Sequence, residues 1–148
     1  MRIREAGHTD ALAMERITRE SGYAVPELAH DEESIREMLK KKMLVYLAEE
    51  SGEALGYITL DPAPPGKMEV VSIEVRGERH GQGIGSALLD VAIAKALELG
   101  KKELFLFCHA RSKAAIGFYC GLGFLQRGLV PGHYSTGEPA VLFSKKID

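Results

Sequence analysis

The chain has 148 residues, 45% of them apolar and 27% charged, with a net charge of −2; this is room for one compact domain, residues 1–148, and excludes disorder and collagen-like structure. No apolar run approaches the roughly 20 residues that cross a bilayer, and no charged-then-apolar leader opens the chain, so a cytoplasmic protein without a membrane partner is predicted. A pI of 6.2, with no Lys/Arg cluster interleaved with aromatics, argues against nucleic acid as a partner. Cys108 and Cys120 are the only cysteines and the five histidines show no HExxH spacing, so no metal is predicted.

Charge is unevenly distributed. Residues 1–61 carry 13 acids and 8 bases, a net of −5, whereas residues 62–148 carry 8 acids and 11 bases, a net of +3. An acidic half suits a cationic partner and a more basic half suits an anionic one.

In chain order, residues 1–5 alternate apolar and charged positions as an edge strand does, and a helix starts at Asp10 and carries Leu12, Met14 and Ile17. A second short helix is predicted from Asp31 to Lys42. Strands over 44–48 and 55–60 flank Glu50, Ser51 and Gly52 as a hairpin, and a Pro-rich loop over 61–66 leads into a strand over 68–75. The pattern then changes to strand, glycine-rich turn, helix and strand: the helix over 84–99 presents Leu88, Leu89, Ala92, Ala96 and Leu99 on one face, and 103–108 is an almost uninterrupted apolar strand. A helix of that length suits a crossover between parallel strands. A helix over 112–120 and strands over 124–129 and 140–145 complete an α/β chain.

The turn His80-Gly81-Gln82-Gly83-Ile84-Gly85-Ser86 lies between a strand and a long helix. Its alternate glycines let backbone N–H groups converge on an anion at the positive end of the helix dipole, so it reads as a phosphate cradle. A dinucleotide turn needs a third glycine where Ser86 stands, and a triphosphate loop needs a Lys that is absent. The competing reading is a tight helix entry shaped by packing alone.

Residues 71–89 resemble the central [Q/R]xxGx[G/A] motif of the GNAT superfamily of N-acetyltransferases, with His80 where that family has Gln or Arg. Residues 112–124, from Ser112 through Ala115, Ile116, Phe118 and Tyr119 to Gly123 and Phe124, are similar to its N-x-x-A-I-x-F-Y-x-x-x-G-F motif, with Ser112 in place of Asn. The resemblance implies a mixed, largely antiparallel α/β sheet flanked by helices, with a central splayed parallel strand pair. It further implies an acyltransferase that uses acetyl-CoA as co-substrate and a small-molecule or peptide amine as acceptor; a homodimer is left open. The cofactor residues it implies are Gly81, Gln82, Gly83, Ile84, Gly85 and Ser86 with His80 at the cradle, the backbone of Ile73 and Val75 along the pantetheine arm, and Ser112.

The same resemblance places Tyr119 beside the departing thiolate. A phenol near ~10 is a weaker acid than a thiol near ~8.5, roughly 2 kcal/mol uphill for full transfer, so Tyr119 is read as a hydrogen-bond donor. An alkyl ammonium near ~10.4 must first lose a proton, and Glu74 is the candidate base, with Glu69 and Glu49 as alternatives. The bland reading of Glu74 is a solvent-facing strand residue balanced by Arg76; that of Tyr119 is core packing. Cys108 beside His109 is rejected as a nucleophile pair because adjacent strand residues point to opposite faces. His133 is a weaker candidate, in a loop that overhangs the acceptor. The alternative function is a non-catalytic acyl-CoA-binding or sensing module.

Overall fold

The computed structural model describes residues 1–21 and 32–148. Seven strands form one sheet: β1 (Arg2–Glu5), β2 (Leu44–Glu50), β3 (Glu53–Asp61), β4 (Lys67–Val75), β5 (Glu103–His109), β6 (Leu125–Val130) and β7 (Ala140–Lys146), in the order β1-β2-β3-β4-β5-β7-β6. Every neighbouring pair is antiparallel except β4 and β5. The helices are α1 (Ala11–Glu20), α2 (Glu32–Lys40), α3 (Ile84–Glu98) and α4 (Lys113–Gly121). The predicted second helix is therefore shorter at its C-terminal end than expected, and Asp31 lies outside the described residues. Among the described residues no helix is long and apolar enough to cross a membrane.

Side-chain alternation divides the sheet into two faces. Ile58 and Leu60 of β3, Ile73 and Val75 of β4, and Leu104, Leu106 and Cys108 of β5 pack with Leu88, Leu89, Ala92 and Ala96 of α3 in the larger core. Val45, Leu47 and Tyr57 turn to the other face, where they meet Met14 and Ile17 of α1 and Ile35 of α2. Fully burying side chains of this size contributes roughly 1.5–3 kcal/mol each, which holds both helical layers on the sheet.

The β2–β3 hairpin turns at Ser51 and Gly52, both with positive φ, as a two-residue turn between twisted strands requires. The end of α4 explains part of a sequence motif. Gly123 (φ 90°) lets its N–H reach Cys120 C=O at 3.0 Å and Phe124 N–H reach Tyr119 C=O at 3.1 Å, the paired bonds that close a helix at a left-handed glycine. Phe124 then sets its ring edge-on to Tyr119 at 6.2 Å. The Gly-Phe pair thus ends α4 and fixes the Tyr119 ring at once.

Candidate active site

A gap opens between the two parallel strands. β4 pairs with β5 only at Lys67↔Glu103, Met68↔Leu104 and Glu69↔Phe105, while β5 keeps pairing with β7 over its whole length. The separation begins where β4 carries one extra residue, Val71, opposite the step from Thr59 to Leu60; such a bulge bends its strand. Arg76 N–H donates to Leu55 C=O across β3 at 2.9 Å, so by strand alternation the main-chain groups of Ile73 and Val75 face the gap instead. His80 donates from Nε2 to Val75 C=O at 2.8 Å. Among the described residues no main-chain partner meets the N–H and C=O of Ile73 or the N–H of Val75 across the gap.

At one end of the gap lies the glycine-rich turn. Gly81 and Gly83 have φ of 79° and 81°, and a Cβ at either would meet no atom within 4 Å: these glycines serve backbone conformation, and the space before them is open. Gly85 has a different reason. A Cβ there would lie 2.7 Å from the Phe118 ring, so packing of α3 against α4 excludes a side chain at this position. The helix begins with Ala87 N–H donating to Gly83 C=O at 3.0 Å, which leaves the amides of Gly83, Ile84, Gly85 and Ser86 without an intrahelical acceptor. They look into a groove of about 280 Å³ lined by Val75, Arg79, His80, Gly81, Gly117 and Phe118, among others. A diphosphate fits there on charge and hydrogen bonding alone.

Tyr119, on α4, lies near enough to Glu74 for that carboxylate's charge to act on its phenol. Its ring packs against Phe118, Phe124 and Phe143 with centroids 5.4, 6.2 and 6.1 Å away. Burial, and then the charge of Glu74, raise its phenol well above the ordinary value, with smaller contributions from Cys108, Tyr134 and Tyr57. These groups therefore share one neighbourhood. Glu74 is not the solvent-facing residue that a bland reading of the strand gives: its Oε2 is sealed from solvent with no partner among the described residues, and burial pushes its carboxyl up to about 7, with the Ser21 hydroxyl pulling in the opposite direction. Arg76, its expected counter-charge, is taken by Glu20, Glu53 and Glu78.

The other sequence candidates are placed as follows. Ser112 caps α4, its Oγ accepting from Ala115 N–H at 3.3 Å. The Gln82 side chain accepts from Arg79 Nε at 2.7 Å and turns away from the groove. Glu49 is committed to Arg2 and Arg4, two strands from the gap. Glu69 sits at the paired end of β4, its carboxyl raised by burial and by Asp61. Sequence reasoning missed Arg79, which brings a cation to the groove; its position just before the glycine run was the available signal. It also missed the way residues 131–139 lie on β5: His133 stacks on Phe107 at 4.1 Å, Tyr134 on His109 at 5.4 Å, and Glu138 meets Arg111 at 3.1 Å. Among the described residues no cluster of His, Cys, Asp or Glu is arranged to hold a metal ion.

Comparison with known proteins gives this geometry a family. An uncharacterized N-acetyltransferase of Methanocaldococcus jannaschii is 33% identical over 68% of this chain, a match spanning 65% of that protein's own length. An N-alpha-acetyltransferase of Sulfurisphaera tokodaii is 29% identical over 99% of this chain and 93% of its own. In three dimensions the PaiA N-acetyltransferase of Thermoplasma acidophilum, solved in complex with coenzyme A, superposes with a TM-score of 0.78 at 20% identity, over 98% of both chains. Residues 11–124 match the Acetyltransferase (GNAT) family, and the chain belongs to that family.

Proposed function

We propose that the protein transfers the acetyl group of acetyl-CoA to a primary amine by direct attack of the neutral amine on the thioester. The observation that carries this reading is the open strand gap leading from a cradle of unpaired amides to Tyr119 and Glu74. In it, the diphosphate lies on the amides of 81–86 with Arg79 alongside, and the pantetheine arm pairs with Ile73 and Val75 as a missing strand would. Glu74 takes the proton of the ammonium, the neutral nitrogen bonds to the acyl carbon, and the C–S bond breaks as the second proton that the nitrogen sheds passes to the sulfur, giving the amide and the free thiol of coenzyme A. Tyr119 donates a hydrogen bond to the departing sulfur. As Glu74 becomes protonated, its charge no longer opposes ionisation of Tyr119, so the phenol becomes a better donor at the moment the thiolate leaves.

The same site favours an α-amine. A carboxylate near 7 accepts a proton from an α-ammonium at ~7.7–8.0 at an expense of about 1 kcal/mol, but from a lysine-type ammonium at ~10.4 only at roughly 5 kcal/mol. Similarity to the N-alpha-acetyltransferase of S. tokodaii supports a peptide N-terminus as acceptor. The test is thiol release from acetyl-CoA with short peptides bearing one free α-amine and with N-terminally blocked peptides bearing one lysine. Turnover of the first set supports the proposal; coenzyme A binding without turnover on either set leaves the non-catalytic module as the reading.

A further inference from the structure

Three buried oxygens on one stretch of sheet make no full hydrogen bond among the described residues: Glu74 Oε2, Thr59 Oγ1 and Ser72 Oγ, the last with the Tyr57 hydroxyl beside it. Thr59 faces Ser72, and Tyr57 faces Glu74, in the β3–β4 register. Tyr57 belongs to the α1 side of the sheet, so by alternation all four do. Leaving such groups unsatisfied costs about 1–3 kcal/mol each. Successive same-face residues along a strand are about 7 Å apart, a spacing that bridging water spans when several polar partners surround it.

The row has a blocked side and an open end. Thr18 Oγ1 donates to Met14 C=O at 3.1 Å, so at the 2.7 Å contact between Thr18 and Tyr57 it is Tyr57 that donates. A proton moving that way would meet a helix carbonyl that cannot pass it on. In the other direction, one step along the same face, Asp61 pairs with Glu69, and Asp61 lines a groove of about 340 Å³ with Lys41, Lys42 and Pro62. The Glu69 carboxyl, raised by burial and by Asp61, is adapted to hold a proton in passing.

We infer that water bridges Glu74, Ser72 and Thr59, and that this row carries the proton taken from the acceptor amine to the Asp61–Glu69 pair and the groove beyond it. The inference rests on Glu74 acting as the base. A single carboxylate must be emptied before each new turnover, and with product and coenzyme A in the gap this face of the sheet is where its Oε2 releases the proton. The proton passes from the ammonium nitrogen to Oε2. Each bridging water and hydroxyl then accepts one proton on its oxygen while giving up its own, a carboxylate receives the last, and no electrons change hands. Ser72 and Thr59 are positioning residues in this scheme.

The experiment compares wild type with S72A, S72T and T59V for acetyl transfer to trialanine at pH 7 and at pH 9.5, alongside a high-resolution crystal structure of the wild type. S72A and T59V lose about tenfold in kcat at pH 7, with KM for acetyl-CoA unchanged, and S72T recovers most of the rate. At pH 9.5 the α-amine, with pKa ~8, is already neutral and the variants converge on wild type. Density shows water within about 3 Å of Ser72 Oγ and of one neighbouring oxygen. An equal loss at both pH values, no loss at either, or direct pairing of these oxygens with protein overturns the relay. E74Q separates the two claims. Loss in E74Q with none in S72A and T59V refutes the relay alone, whereas a full rate in E74Q, or no acetylation of trialanine by any form, counts against the function proposed above and leaves the crystal density to decide the bridging.

Discussion

Replacing Glu74 by Gln keeps the shape and removes the charge, and the burial of this carboxyl gives the sign of the effect on stability and its order of magnitude. Burial lifts this carboxyl from 4.5 to about 7. Between those values the native state binds more protons than the unfolded chain, so wild-type stability falls as pH rises through that window and stays lower above it. At about 1.4 kcal/mol for each tenfold change in proton affinity, the loss is roughly 3 kcal/mol. E74Q lacks this pH dependence; any constant effect of the amide shifts its curve without tilting it. Thermal unfolding followed by circular dichroism from pH 4 to pH 8.5 should therefore show the Tm of the variant gaining on wild type by about 6–12 °C across the range, at ~2–4 °C per kcal/mol for a chain of this size. Parallel curves would refute the reasoning, because they would mean that Glu74 is not desolvated in the folded protein.

Three other substitutions probe separate parts of the site. Y119F removes a hydrogen bond to a developing thiolate, worth about 1.5–3 kcal/mol, so kcat should drop roughly 10- to 100-fold in steady-state assays while coenzyme A affinity by calorimetry stays within about twofold. G85A places a Cβ 2.7 Å from the Phe118 ring and should lower stability by about 1–3 kcal/mol in urea unfolding; no loss would show that α3 and α4 do not pack as described. R79Q should weaken coenzyme A binding by roughly 3- to 10-fold and flatten its salt dependence, both read by titration at two ionic strengths.

Much of the fold was legible because its signals are local. Alternation in β2 and β3, the apolar face of α3 and the length of the crossover require only neighbouring residues, and the cradle declares itself through Gly81 and Gly83, whose positive φ no other residue adopts as readily. What escaped the sequence depends on distant partners. Alternation puts Glu74 on the face opposite Ile73 and Val75 without saying whether that face is covered, and it is Thr18 and Ser21, more than 50 positions earlier, that lie against it. The bond from His80 to Val75 C=O joins two motif residues whose spacing alone suggests no contact. The packing of His133 and Tyr134 on β5 likewise follows from the β5–β7 pairing. The motif ending in Gly123 and Phe124 was read from resemblance, and the structure supplies its physical reason in the closure of α4 and the setting of the Tyr119 ring.

The central claim is that the amides from Gly81 to Ser86 receive the diphosphate of coenzyme A. Titrating 15N-labelled protein with coenzyme A and following each amide by two-dimensional NMR tests it most directly. The account predicts that the proton resonances of Gly83, Gly85 and Ser86 move downfield, as they do for amides that gain a charged acceptor, in step with saturation of a single site. Saturable binding that leaves these amides unmoved while others shift would contradict it.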